Sequence, residues 1–300
     1  MSSHRNNDLG DFPGLLSSHN ESQQLRIGIF DSGVGGLTVL RELYRQLPNE
    51  SFLYFADTAR LPYGTRSQAE ILKFTRQILS WMTQKRVKMA IMACNTSSAL
   101  ALDIVRDEFD IPILGLILPG ARAAVQQGKR IGVIATPATV ASDSYRQAVF
   151  EIDPTLEVWQ VSCPEFVPLI EQNQIYTAAT AKVARTYLEP LIQVRIDTLI
   201  YGCTHYPHLA PVITSLLPHS VHQVDPAAHV VAAAAQELEI LGLRNTSAHQ
   251  PTQFFVSGCP EQFAQLSLQW LGYIPRVEQV SLPVVSPLAI SIDAASKLPL

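Results

Sequence analysis

Long apolar runs are missing from these 300 residues: none reaches the ~18–20 residues that a membrane-spanning helix needs. The segment Met1–Gln24 is polar and has no apolar stretch of the signal-peptide kind, so a cytoplasmic protein is expected, with no membrane partner. Cysteine is scarce. Cys94, Cys163, Cys203 and Cys259 form no C-x-x-C pair, which argues against a disulfide framework or a metal site. Charged residues make up 16% against the usual ~25%, net charge is −4, and no basic stripe is visible, so nucleic acid is not an expected partner. A small anionic substrate stays open, since a few local donors suffice to bind one. Neither G-x-G-x-x-G nor a Gly-Lys-Ser/Thr phosphate loop occurs.

Hydrophobic residues, by contrast, supply 47% of the chain. They gather in short continuous runs at Arg26–Phe30, Phe52–Ala56, Met89–Ala93, Ile113–Ile117, Ile131–Ala135, Val158–Ser162, Thr198–Tyr201, His222–Val224 and Gln253–Val256. Runs that do not alternate with polar residues suit strands covered on both faces. Helical patterns lie near Leu37–Gln46, Ser97–Phe109, Thr177–Gln193, Ala227–Leu241 and Pro260–Leu271, and a Ser67-Gln68-Ala69-Glu70 capping box opens another that reaches about Gln84. The alternation predicts two doubly wound parallel α/β domains. A weak internal repeat agrees: residues 27–32 resemble 131–136 at an offset of 104, and 86–100 resemble 195–209 at an offset of 109.

Ligands bind at the carboxyl ends of strands in such sheets. There the sequence places Asp31-Ser32-Gly33-Val34-Gly35-Gly36, Asp57 to Gly64, Cys94-Asn95-Thr96-Ser97, Thr136 to Thr139 and Gly202-Cys203-Thr204-His205. The glycine loop reads as a tight strand-to-helix turn exposing Asp31 and Ser32. A lone cysteine behind a buried strand is ordinarily a core residue. Cys94 and Cys203, however, hold matching positions in the two repeats, each ahead of polar donors and an expected helix N-terminus that draws a thiol toward the thiolate. Cys163 and Cys259 have no such twin and read as structural. Two opposed thiols suit either a redox exchange or a two-base proton transfer that inverts a carbon centre. His205, two residues from Cys203, can exchange protons near neutral pH. None of the six lysines follows a strand in these loops, so no pyridoxal Schiff base is expected, and no cofactor.

The motifs I-G-I-F-D-S-G-V-G-G-L-T-V, A-D-T-A-R-L-P-Y-G, A-C-N-T-S-S-A, C-P-E-F-V-P-L-I-E and G-C-T-H-Y-P-H-L, in this order from about Arg26 to Gly272, closely resemble the glutamate branch of the aspartate/glutamate racemase family. The resemblance implies two α/β domains with the site between them. One comprises residues 25–118 plus 225–275, carrying Asp31 and Cys94. The other spans 119–224, carrying Glu171, Cys203 and His205. It further implies that Cys94 and Cys203 are the acid/base pair, that Asp31 supports Cys94, and that Glu171 and His205 support Cys203. Substrate contacts would come from Asp31, Ser32, Tyr63, Gly64, Asn95, Thr96, Thr139, Thr204 and His205. The implied activity is cofactor-independent interconversion of L- and D-glutamate for peptidoglycan, by a homodimer. A racemase of aspartate, a thiol redox protein and a non-catalytic binding protein that keeps the cleft are the alternatives. Residues 1–24 read as a solvated tail and 276–300 as irregular.

Overall fold

The computed structural model describes residues 21–282, and these form two parallel sheets. In the first, β1 (Ile27–Asp31), β2 (Phe52–Ala56), β3 (Met89–Met92), β4 (Ile113–Gly115), β9 (Gln253–Val256) and β10 (Val277–Gln279) run in the order β10-β9-β2-β1-β3-β4. In the second, β5 (Arg130–Ala135), β6 (Glu157–Ser162), β7 (Thr198–Gly202) and β8 (His222–Val224) run in the order β6-β5-β7-β8.

Both faces of each sheet are covered, which is why its central strands are apolar at successive residues. On the first sheet, Ile27 and Ile29 of β1 pack with α1 (Leu37–Gln46), α10 (Pro226–Ile240) and α11 (Pro260–Leu271), whereas Phe30 packs with α2 (Gln68–Gln84) and α3 (Asn95–Val105). On the second sheet, Leu199 faces α7 (Phe166–Glu171), α8 (Ala178–Gln193) and α9 (Ala210–Leu216); Ile200 faces α4 (Ile117–Val125) and α6 (Ser144–Ile152). The short α5 (Pro137–Ala141) follows β5. The expected capping box is present at α2: Ser67 N–H donates to Glu70 Oε2 at 3.0 Å and Glu70 N–H to Ser67 Oγ at 3.3 Å.

The repeat seen in the sequence is a repeat of architecture. The order β2-β1-β3-β4 reappears as β6-β5-β7-β8, and Ile27 sits between Phe52 and Met89 as Ile131 sits between Val158 and Thr198. Even a backbone detail recurs. Arg86 and Arg195, 109 residues apart, hold φ values of 57° and 56° and end the helices that lead into β3 and β7. In each case the next amide donates five residues back, Val87 to Met82 and Ile196 to Leu191, as in a left-handed helix stop.

Three expectations need correction. Residues 276–300 are not wholly irregular, because β10 pairs in parallel with β9, Val277 beside Phe254. A three-residue, largely exposed edge strand carries too little periodicity to read. The domain boundary at 118/119 falls inside α4, which is itself the first crossover. Residues 21–24 form a helical turn tied to the first domain: Gln23 Nε2 donates to Gly242 O at 3.0 Å, and Lys88 Nζ donates to Gln23 O at 2.6 Å. Lys88 is buried against Glu50 at 2.6 Å, and the carbonyls of Gln23 and Leu243, at 2.6 and 2.8 Å, take its other protons. The rest of the expected tail, residues 1–20, and residues 283–300 lie outside the described residues.

Candidate active site

The carboxyl ends of both sheets face one small cavity of about 160 Å³. Cys94 reaches it from the end of β3 and Cys203 from the end of β7, so equivalent positions of the two repeats supply two thiols to one enclosed space. Ser32, Tyr63, Gly64, Asn95, Thr96, Thr204 and His205, all expected as site residues, line it too.

Asp31 ends β1, beside β3, where Ala93 N–H bonds Phe30 O at 2.8 Å, and this pairing brings its carboxylate near Cys94. Its Oδ2 accepts from Gly36 N–H at 2.8 Å and Gly33 N–H at 3.3 Å, while Oδ1 is buried without a partner among the described residues. Burial raises the Asp31 pKa against the opposing charge of His205 and the loop amides. Burial also pushes the Cys94 thiol up, and the Asp31 charge pushes it further. This reverses the sequence expectation. Cys94 is indeed the N-cap of α3, but loss of water and a neighbouring anion outweigh the helix terminus, so Cys94 holds its proton at neutral pH.

The second thiol has different company. His205 Nδ1 lies 3.8 Å from Cys203 Sγ, and its Nε2 lies 2.8 Å from Glu171 Oε1 at the end of α7. Burial opposes a charge on His205, but the Cys203 and Glu171 contacts prevail and raise its pKa well above the ordinary value. A protonated imidazole donates at both nitrogens, bridging carboxylate and sulfur. After Cys203 the chain enters a 3₁₀ turn, Tyr206–Leu209, before α9, so no α-helix begins directly at this thiol.

The glycine loop does more than turn. A Cβ on Gly35 would lie 2.3 Å from His205 Nδ1 and 2.8 Å from Thr204 Oγ1, and one on Gly33 would lie 3.1 Å from Glu171 Oε1. Side chains here would push the domains apart. Gly64 meets Thr136 in the same way, at 2.7 Å. The Tyr63 hydroxyl donates to buried Asp57, which also holds Arg60 and Ser257, so Tyr63 and Gly64 offer the cavity mainly backbone and ring.

Asn95 crosses the cleft. Its amide has partners of the right kind only with Nδ2 toward Tyr145 Oη, at 2.6 Å, and Oδ1 toward the N–H groups of Cys203 and Thr204, at 3.3 and 3.2 Å. Thr96 also crosses, placing Oγ1 2.9 Å from Thr136 Oγ1 and 3.2 Å from Thr139 Oγ1. Thr136 lines the cavity and Thr139 stands behind it, 2.9 Å away. Sequence reasoning missed Thr136 as a lining residue, although its place directly after β5 was the available signal. It missed Cys163 as well: that thiol lines the cavity and donates to Val161 O at 3.5 Å, and burial pushes its pKa up. Tyr145, at the start of the buried face of α6, gave no signal at all.

Two doubly wound domains thus enclose paired thiols, Cys94 beside Asp31 and Cys203 beside His205 and Glu171. The chain belongs to the Asp/Glu/Hydantoin racemase family, whose model matches residues 27–236. It is 68% identical over 278 residues to a protein named glutamate racemase from Trichormus variabilis, covering 93% of this chain and 95% of that one. It is 64% identical over 268 residues to one from Synechocystis, covering 89% and 96%. Among solved structures, a glutamate racemase from Bacillus anthracis superposes with a TM-score of 0.85 at 37% identity, covering 88% of this chain and 100% of that one. A glutamate racemase from Francisella tularensis in complex with D-glutamate gives 0.82 at 35% identity, covering 86% and 98%.

Proposed function

We propose that this chain interconverts L- and D-glutamate by two-base proton transfer at Cα, without an organic cofactor or metal. The observation that carries the reading is the pair Cys94 and Cys203, set on opposite domains at equivalent repeat positions around one cavity. The names of its relatives, and the D-glutamate in the Francisella structure, supply the substrate. In the reaction one thiolate takes the Cα proton, the C–H electron pair stays on carbon, and the opposite thiol gives its own proton to the other face. Removal from D-glutamate falls to Cys94 and from L-glutamate to Cys203.

Burial and the Asp31 charge favour the protonated Cys94 thiol, and a protonated Cys94 is the donor that the L-to-D direction requires. His205, held by Glu171, stores a proton within reach of Cys203. The side-chain carboxylate of glutamate would be met by Ser32 and the Tyr63–Gly64 backbone. Asn95, Thr96, Thr204 and the threonines behind them would meet its amino-acid end. The same reading makes the protein a cytoplasmic homodimer supplying D-glutamate for peptidoglycan. No helix among the described residues is long and apolar enough to cross a membrane.

The test is isotopic. In heavy water the first product formed from either enantiomer should carry deuterium at Cα while recovered substrate stays protiated. Early product that keeps the substrate's own proton would mean a single base ferrying it across and would end the two-thiol reading.

A further inference from the structure

The geometry points to Tyr145 as a positioning residue that holds the Asn95 amide in place and thereby ties the Cys203 loop of one domain to the Cys94 loop of the other. Tyr145 lies on α6, fully buried and away from the cavity lining. Its ring sits in a slot cut by two glycines. A Cβ on Gly202, the residue before Cys203, would lie 3.2 Å from Tyr145 Cε2, and one on Gly120 of α4 would lie 3.4 Å from Cε1. With the ring so enclosed, the hydroxyl is delivered to one place, 2.6 Å from the Asn95 amide.

What that contact fixes is the place of the carboxamide; its orientation is chosen by the loop amides. A carboxamide turned by half a revolution has almost the same shape, so packing cannot tell its two states apart; hydrogen bonds must. Turned one way, Asn95 Oδ1 receives the N–H groups of Cys203 and Thr204 at 3.3 and 3.2 Å. Turned the other way, its NH₂ faces those same two donors. A hydroxyl donates or accepts, so Tyr145 bonds the amide in either state; the two loop N–H groups select the first, and in it the Tyr145 hydroxyl accepts from Nδ2 and anchors the side chain there. Without it, Nδ2 is a buried donor with no partner, and leaving such a group unpaired is costly. The phenol therefore acts two residues removed from the reacting atoms: Tyr145 to Asn95, Asn95 to the backbone of Cys203.

Asn95 is one of the residues assigned to substrate under the proposed function, so any effect on turnover rests on that reading. The bond network itself does not, and a measurement on the empty protein separates the two. Tyr145→Phe keeps the ring and removes only the hydroxyl. By hydrogen exchange of the ligand-free protein, the Cys203 and Thr204 amides should exchange about tenfold faster in Tyr145→Phe. They should do so equally in Asn95→Ala, and no faster in the double variant. In turnover with glutamate, Tyr145→Phe should lower kcat/KM about tenfold, with the loss absent when Asn95 is already Ala and binding of labelled glutamate is read instead. Tyr145→Phe with unchanged exchange at 203–204, or with a further increase on top of Asn95→Ala, would overturn the inference. If Tyr145→Phe does not fold, 3-fluorotyrosine at position 145 keeps the hydroxyl but weakens it as an acceptor. Unaltered exchange there would count equally against the inference. Exchange that behaves as stated in a protein that does not racemise glutamate would sink the proposed function and leave this coupling standing.

Discussion

Gly35 separates packing from chemistry more sharply than any cysteine does. Its φ is not in the left-handed region, so alanine is allowed by the backbone, and the whole cost lies in what the new methyl meets. That methyl would stand 2.3 Å from His205 Nδ1 and 2.6 Å from Cε1, about 1 Å short of the 3.4 Å at which ordinary contact begins. Overpacking of this degree costs about 1–3 kcal/mol, which a slight parting of the domains can relieve, so Gly35→Ala should fold with a modestly lowered melting temperature. Activity should suffer more. The imidazole must withdraw by about 1 Å from a sulfur it already faces at 3.8 Å, and a displacement of about 1 Å at a reacting group can cost about 100-fold. Enantiomers have equal free energies, so kcat/KM must fall equally in both directions, and steady-state rates alone cannot say which thiol was harmed. Elimination from substrate analogues with a β leaving group can. The analogue whose proton Cys203 removes, the L-form, should slow far more than the D-form. A control comes from Gly272, at φ 77° with nothing within 4 Å of its missing Cβ: Gly272→Ala should lose about 1 kcal/mol of stability and no activity. Full turnover in Gly35→Ala, or equal loss of both eliminations, would refute the placement of His205 on the Cys203 side.

Two further outcomes are expected. Cys94→Ser and Cys203→Ser should each abolish racemisation, with Cys94→Ser keeping elimination from the L-analogue only and Cys203→Ser from the D-analogue only; variants that treat both enantiomers alike would show that the thiols do not flank Cα. A chain beginning at Leu25 loses the Gln23 carbonyl and leaves one Lys88 proton without its acceptor, so its stability should fall by about 1–3 kcal/mol in a denaturant titration while kcat/KM holds; unchanged stability would mean that water replaces the carbonyl without cost.

Much of this was legible because it is written in short-range pattern. Residues 27–30 of β1 and all of β3 carry no polar side chain since both faces of each strand are covered, and the capping box of α2 is a local chemical signal. The repeat placed Cys94 and Cys203 at equivalent sites before any coordinates, because strands that pair alike carry their loop residues to like positions. What stayed hidden depends on contacts far apart in sequence. Gly33 and Gly35 look like turn residues until Glu171 and His205 are seen against them. Glu171 resembles any helix-end carboxylate; the motif resemblance alone singled it out, and the physical reason, the His205 ring 34 residues on, is a tertiary contact. Thr136 and Thr139 are indistinguishable as hydroxyls, and which one faces the cavity is decided by Thr96 on the other domain. The thiol protonation went the wrong way for the same reason: the helix N-terminus at Cys94 is local, whereas burial and Asp31 are tertiary.

The two half-sites are equivalent in topology and unlike in chemistry, and the proposed reaction accounts for both facts. Inversion at one carbon needs donors on opposite faces, and a duplicated α/β unit closed upon itself supplies matched loop ends at once. It does not need the donors to be alike. A substrate that presents three different groups to the walls is never symmetric about the plane in which Cα inverts, so the two bases meet different neighbours. Here one thiol is kept protonated by burial and the anion Asp31, while the other faces an imidazole that Glu171 holds in place. Free duplication would have produced identical supports. Their divergence puts Asp31 on the strand of one repeat and Glu171 with His205 on a helix and loop of the other, so the two thiols keep different company. In the proposed reaction each direction begins from the complement of the other, because the thiol that donates in one is the thiolate that accepts in the return.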